Sequence, residues 1–109
     1  MATATVHIDD VPGFLGRARC YQLDPPPVIE GISSPFVTLV LQPRIGRQPP
    51  EVRAYPALST GASAVPQLVR GPGSYRPHEP VDIEGAFWFA LLMLGGYTIA
   101  GPDLAKGAS

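Results

Sequence analysis

One uninterrupted apolar run, Ala86–Leu94, constrains the fold of this chain more than any other feature. It is followed by the pair Gly95-Gly96, and glycine is a common stop signal for a helix. Asp82 and Glu84 come just before it, where carboxylates favour the positive end of a helix dipole. The pattern therefore predicts one helix over Pro80–Leu94.

The predicted helix is apolar all round, so it must be covered on more than one side. Residues three and four apart share a helix face, which lets Phe87, Leu91 and Leu94 face a sheet. Phe89 and Met93 then point elsewhere, and a monomer rarely leaves a large apolar patch in water. We therefore expect Phe89 and Met93 to contact a protein partner.

The predicted core joins large apolar side chains of the helix to a strand that faces it. These residues are Phe87, Trp88, Leu91 and Leu92 on the helix, with Val37, Leu39 and Val40 opposite. If Trp88 is buried in this way, replacing it with alanine should lower the free energy of unfolding by about 3–5 kcal/mol.

The strongest strand signal is Phe36–Leu41, whose residues are apolar on both faces and predict a central strand covered on two sides. Glu51–Tyr55 alternates until Pro56, which should end it, and the short loop Arg44–Pro50 favours antiparallel pairing of the two strands. Shorter strands are predicted at Thr3–Ile8, Leu15–Leu23, Gln67–Arg70 and Tyr97–Ala100. The expected fold class is α+β: an antiparallel sheet of three to five strands, centred on Phe36–Leu41, with one apolar helix packed on it.

The composition is that of a folded domain with many turns. Proline and glycine together supply 26 of the 109 residues (14 and 12), which approaches the level typical of disorder. However, 45% of the residues are hydrophobic and the net charge is −1, which is unlike a chain too polar to fold. We expect a single domain over residues 1–109 with a short flexible tail at about 103–109.

Charge and cysteine content exclude several classes of protein. Net charge −1 with scattered arginines argues against nucleic-acid binding, which needs a concentrated basic face. Seven of the eight cations are arginine, a residue that interfaces favour, and we expect Arg44 and Arg47 at the rim of the partner contact. Cys20 is the only cysteine and is predicted to be a small buried hydrophobe. The chain therefore has no intramolecular disulfide and no thiol-based zinc site.

No catalytic motif is recognisable. His7 and His78 lack a positioned partner in the sequence, and Asp9-Asp10 has no further acidic residue at metal-ligand spacing. Gly71–Arg76 has the glycines of a phosphate-binding loop without its lysine, so it is interpreted as a turn. We predict no catalytic residue, no cofactor, no metal and no small-molecule substrate.

Two alternatives remain open. Residues 85–102 carry no charge, and these 18 residues approach the roughly 20 that cross a bilayer, so the chain could be a small membrane-associated protein. It could also be an accessory enzyme whose site has no recognisable motif. The N-terminus has neither a basic start nor an apolar core segment, so no signal peptide is predicted.

Three short motifs carry a resemblance: Ala18–Pro26, Pro72–Arg76 and Gly95-Gly96-Tyr97. Together they resemble small proteins of unassigned function from actinobacteria and their tailed phages, over about two thirds of the chain. The resemblance implies no reaction and transfers no catalytic residue. It implies a structural component of a virion, such as a capsid decoration protein or a minor capsid or tail protein.

This chain departs from those proteins in its helix, because they carry a more polar and charged segment after the Ser-Tyr-Arg motif. The added apolar surface suggests that this chain buries its helix against a partner. We therefore expect a non-enzymatic structural or interaction protein whose partner is a larger shell or further copies of itself. Its expected location is the virion or the cytoplasm of the producing bacterial cell.

Overall fold

The computed structural model describes residues 2–14, 16–29, 31–47, 50–64 and 83–100. Within these ranges the chain forms seven strands and one helix. In chain order they are β1 (Thr3–Ile8), β2 (Arg17–Asp24), β3 (Val28–Ile29), β4 (Ile32–Ser33), β5 (Phe36–Gln42), β6 (Glu51–Ala57), α1 (Ile83–Gly95) and β7 (Thr98–Ile99). The predicted strand Gln67–Arg70, the predicted helix start at Pro80 and the tail from 103 lie outside the described residues.

Five of the strands form one sheet in the order β6-β5-β2-β1-β7, and β3 and β4 form a small hairpin of their own. The pairs β1–β2, β2–β5 and β5–β6 are antiparallel, as predicted for the strands on either side of the Arg44–Pro50 loop. The α+β class, with one helix against a sheet of five strands, is confirmed. Two details of the prediction are wrong: β7 runs parallel to β1, and the middle strand is β2 rather than β5.

Strand β5 is covered on both faces, as predicted. Val37 and Leu39 point into an inner core shared with the helix, which also contains Tyr21 and Leu23. Val40 is equally buried but belongs to a separate outer core on the opposite face of the sheet. The prediction that Val40 faces the helix is therefore wrong, because successive side chains of a strand point to opposite faces.

Proline 56 lies inside a strand instead of ending one. Strand β6 extends from Glu51 to Ala57, and Pro56 pairs with Val37 of β5. The carbonyl of Pro56 accepts a hydrogen bond from the Ala64 N–H at 2.8 Å, so this residue turns its polar groups away from β5. Because β6 is an outer strand, the missing N–H removes no bond from the ladder, which is where sheets tolerate proline.

The helix turns one side to the sheet. Ala86, Phe87, Ala90 and Leu91 are buried in the inner core, and Ile83 and Leu94 pack against it, which defines the inner stripe: 83, 86, 87, 90, 91 and 94. The predicted orientation of Phe87, Leu91 and Leu94 is confirmed.

Trp88 is 48% exposed, so its predicted burial is wrong. Leu92 is only half-buried, and it belongs to neither core. A helix advances by about 100° per residue, which turns the side chains that follow Phe87 and Leu91 away from the sheet.

Within the described residues, the outer core is covered by loops. Val11 and Phe14 pack over Cys20 and Tyr55, and Gly61 has a φ of +88° with no room for a side chain, since a Cβ would lie 2.9 Å from Val11. Cys20 is fully buried, as predicted, and its burial raises the pKa of the thiol.

Two adjacent helix residues test this orientation. Phe87→Ala should lower the free energy of unfolding by about 3–5 kcal/mol, because it leaves a cavity in the inner core. Trp88→Ala should lower it by about 1 kcal/mol or less, because the indole is half-exposed. Urea denaturation followed by circular dichroism measures both variants. Equal losses of stability would contradict the finding that Phe87 is buried in the inner core whereas Trp88 is half-exposed.

Candidate protein interface

The helix carries a second apolar stripe on the side away from the sheet. This outer stripe consists of Gly85, Trp88, Phe89, Leu92 and Met93 of the helix, together with Gly96 directly after it. Its members recur three and four residues apart, as those of the inner stripe do. Each lies two positions after a member of the inner stripe. A stripe with this spacing is the pattern by which a helix packs against another element. The helix therefore offers two packing faces, and the sheet uses one of them.

The largest side chains of the outer stripe are substantially exposed. The exposed fractions are 48% for Trp88, 38% for Phe89 and 49% for Met93. Because aromatic residues bury roughly 150–250 Å² each when covered, these three side chains present about 300 Å² of apolar surface. Exposed apolar patches of a few hundred square ångströms on one protein are often functional. None of the six residues in the stripe is charged.

An ion-pair cluster holds the start of the helix against the sheet. Arg19 of β2 is 7% exposed and makes a two-pronged contact with Glu84, from Nη1 to Oε1 at 2.9 Å and from Nη2 to Oε2 at 3.0 Å. Its Nε donates to Oδ1 of Asp9 at 2.9 Å. The guanidinium also lies 5.7 Å from the ring centroid of Phe87. Planar pairing of this kind fixes orientation as well as distance.

The electrostatics of this cluster favour the charged forms of the pair. The hydrogen bonds from Arg19 hold the pKa of Glu84 below its ordinary value. The hydrogen bond to Glu84 likewise raises the pKa of Arg19, although burial opposes the rise. A carboxyl held in its ionised form is a poor proton donor near neutral pH. The arrangement is therefore suited to anchoring the helix rather than to proton transfer.

The end of the helix is anchored as well. Gly96 has a φ of +71°, and its N–H donates to the carbonyl of Leu92 at 2.8 Å, which closes the last turn. Tyr97 is buried, and its hydroxyl donates to the carbonyl of Pro25 at the far end of β2. Fixed at both ends, the helix presents the outer stripe from a defined position, which is a requirement of a specific interface.

The loop arginines lie toward the other end of the sheet from the last turn of the helix. Arg44 and Arg47 are exposed and follow the Gln42 end of β5, next to Arg17. There Arg17 and Arg44 line a surface groove of about 310 Å³ with Leu41, Pro43 and Pro50. Met93 belongs to the helix end that reaches Pro25, so Met93 and the loop arginines lie toward opposite ends of the sheet.

The remaining candidates from the sequence are dispersed. His7 is exposed, its Nε2 lies 2.8 Å from the carbonyl of Ser59, and its ring contacts Phe36 at 4.7 Å between centroids. Asp9 is engaged with Arg19, and Asp10 is exposed. His78 and Gly71–Arg76 lie outside the described residues. In the described part of the chain, no three His, Cys, Asp or Glu side chains come together as a metal site.

Sequence reasoning missed two residues of this region, and both had a detectable signal. Trp88 shares helical spacing with Gly85 and Leu92, which places it on the outer stripe. Arg19 alternates with Tyr21 and Leu23 along β2, which points it toward the helix side of the sheet. Glu84, in contrast, was predicted only as a favourable charge in the first helical turn.

Among the ranges that the structure describes, no helix is long and apolar enough to span a membrane. No protein-family model, curated protein or solved structure matched this chain in the comparisons.

The Arg19–Glu84 pair makes stability depend on pH. Glu84→Gln should lower the free energy of unfolding at neutral pH by about 1–2 kcal/mol, a value reduced by the solvent exposure of the carboxylate. Because the folded-state pKa of Glu84 is lowered, its contribution exists above the ordinary carboxyl pKa and is lost as the pH falls through the folded-state value. Urea titrations at pH values from about 6 down to about 3 should therefore show the free energies of unfolding of the wild type and Glu84→Gln converging.

Asp10→Asn is the control for this experiment, since Asp10 is an exposed carboxyl beside the cluster. Introduced into both proteins, Asp10→Asn should leave the difference between their free energies of unfolding unchanged. If the difference in free energy of unfolding between the wild type and Glu84→Gln stays constant as the pH falls, the ionised pair does not anchor the helix.

Proposed function

We propose that this chain is a non-enzymatic structural protein that works by binding protein subunits, as a component of a tailed-phage virion. The observation that carries the proposal is the outer stripe, in which Trp88 and Met93 are about half exposed on a firmly anchored helix. Aromatic residues and methionine are enriched at protein interfaces, and charged residues are depleted at interface centres. The stripe has this composition.

The ion-pair cluster also supports a structural role. Arg19, Asp9 and Glu84 are engaged with one another and connect the helix to the sheet. Their interactions hold the helix against the sheet. They do not provide a proton donor or a nucleophile near neutral pH. A small domain of this kind suits attachment to a larger surface.

The virion is proposed on the resemblance of the three sequence motifs to small phage and actinobacterial proteins. A shell of many identical sites multiplies a modest affinity, so a patch of about 300 Å² is useful in such a setting. The proposed location is accordingly the virion, and before assembly the cytoplasm of the producing cell. A capsid decoration protein and a minor capsid or tail protein are both forms of this proposal.

Virions of a phage that encodes this chain test the proposal. Gradient-purified virions should contain the chain by mass spectrometry, and virions from a gene deletion should lack it. Purified protein added back to the deleted virions should co-sediment with them. Trp88→Glu should reduce the bound copies by about tenfold or more, since it places a charge at the centre of an apolar contact.

Leu58→Glu is the matched control, because Leu58 is a 53% exposed apolar residue that follows β6 and belongs to neither core. It should bind like the wild type. If the chain is absent from purified virions and fails to co-sediment on add-back, the proposed function is wrong.

A further inference from the structure

The surface groove at the start of β2 and the β3–β4 hairpin carry opposite charges. The groove is lined by two arginines, Arg17 and Arg44, and by no carboxylate. The hairpin belongs to the segment 20–43, which contains two carboxylates, Asp24 and Glu30, and neither lysine nor arginine. In a chain whose net charge is −1, the groove and the hairpin are therefore electrostatically complementary.

Both features also present apolar surface. Val28 of the hairpin is 65% exposed, the largest exposed fraction among the large hydrophobic side chains of the described residues. Ile29, the other residue of β3, is fully buried in the inner core. The apolar part of the groove is supplied by Leu41, Pro43 and Pro50. An outward-facing valine close to a carboxylate thus has its counterpart in an apolar groove that is lined by arginines.

The hairpin and the groove of one chain cannot meet. Strand β2 begins at Arg17 and ends at Asp24, which separates these residues by about 23 Å. The chain from Asp24 to Val28 spans at most about 14 Å, so Val28 does not reach back to Arg17. The Leu23 N–H donates to the carbonyl of Pro35 at 2.7 Å, which keeps the hairpin at the Asp24 end of β2. A hairpin of this sequence therefore fills the groove only when it comes from another copy.

We propose that the β3–β4 hairpin of one copy of this chain docks in the groove of the next copy, with Val28 against the apolar lining and Asp24 toward Arg17. This contact goes beyond the proposed function, because it joins copies of the chain and does not use the outer stripe. It brings two different surfaces together, so further copies can join head to tail and form a ring or a filament.

Arg17 is the cation that pairs with the incoming carboxylate. It is exposed and, among the described residues, forms no ion pair. Glu51, which follows the groove residue Pro50, contacts Arg53 at 3.5 Å. An exposed ion pair adds little affinity, so the charges mainly orient the hairpin.

The size of the groove sets the expected strength. Its volume of about 310 Å³ is at the lower limit of ligand pockets, and it has room for only a few side chains. We therefore expect a reversible contact that is half formed between about 100 µM and about 1 mM. Such a contact becomes effective when many copies are held side by side on one surface.

Light scattering on two variants, alone and mixed, tests the contact. The mass of the wild type should rise from 11.5 kDa as the concentration increases from about 10 µM to about 1 mM. Val28→Arg places a cation on the hairpin, and Arg17→Glu removes a cation from the groove, so each variant alone should stay monomeric. In an equal mixture, the intact hairpin of Arg17→Glu meets the intact groove of Val28→Arg, and the mass should rise toward that of a dimer.

Both substituted positions are exposed, so the circular dichroism spectra of the two variants should match that of the wild type. Leu58→Arg is the matched control for the hairpin, because Leu58 is a 53% exposed apolar residue outside it. Trp88→Glu is the control for the outer stripe. Both controls should associate like the wild type.

Cysteine cross-linking tests which residues meet. Under mild oxidation, a mixture of Val28→Cys and Pro43→Cys chains should form disulfide-linked pairs several times faster than either variant alone. Cys20 is fully buried, so it does not compete. Faster linking of each variant to itself would overturn the head-to-tail arrangement.

A wild type that stays monomeric up to about 1 mM would overturn the proposal. Association that persists in Val28→Arg alone and in Arg17→Glu alone uses another surface, and it would overturn the proposal as well. If the copies do not associate but the chain binds virions through Trp88, the proposed function stands without this contact. If the copies associate as described but the chain is absent from virions, the contact stands and the proposed virion role is wrong.

Discussion

The ion pair between Arg19 and Glu84 is the contact on which the position of the helix depends. Burying an arginine is costly unless its charge is paired and its donors are satisfied, and here two carboxylates and a tyrosine hydroxyl surround it. The partners come from three separate parts of the chain: the turn after β1, the middle strand, and the first turn of the helix. One residue of the central strand thus joins the turn after β1 to the helix.

The packing beneath the helix follows from that anchor. With Glu84 fixed over Arg19, the helical repeat turns Phe87 and Leu91 down onto Tyr21 and Leu39 in the inner core. Phe87 meets Tyr21 edge to face, with ring centroids 6.4 Å apart, and also lies beside the Arg19 guanidinium. The same rotation turns Trp88 and Met93 outward. The orientation of the inner stripe therefore determines the orientation of the outer one.

Much of this architecture is predictable from local pattern. The continuous apolar pattern of β5 predicts a strand covered on both faces, and the apolar run of the helix predicts a helix on a sheet with Phe87 directed inward. Each of these predictions depends on spacing within a few residues. The misplaced features depend on partners distant in sequence. Pro56 remains in a strand because β6 lies at the edge of the sheet, and β2 becomes central because β1 and β7 pair on its far side. Local propensity predicts neither the edge position of β6 nor the central position of β2.

The candidate interface was only half predictable for a related reason. Phe89 and Met93 follow from counting helical turns. The size and hydrophobicity of Trp88 instead favour the core, although its spacing places it outside. The fold accounts for every member of the inner stripe by burial, and it gives no such account of Trp88. The exposed indole is therefore the observation on which the proposed interface rests, and this is why the outer stripe, rather than a cluster of polar groups, supports the proposed function.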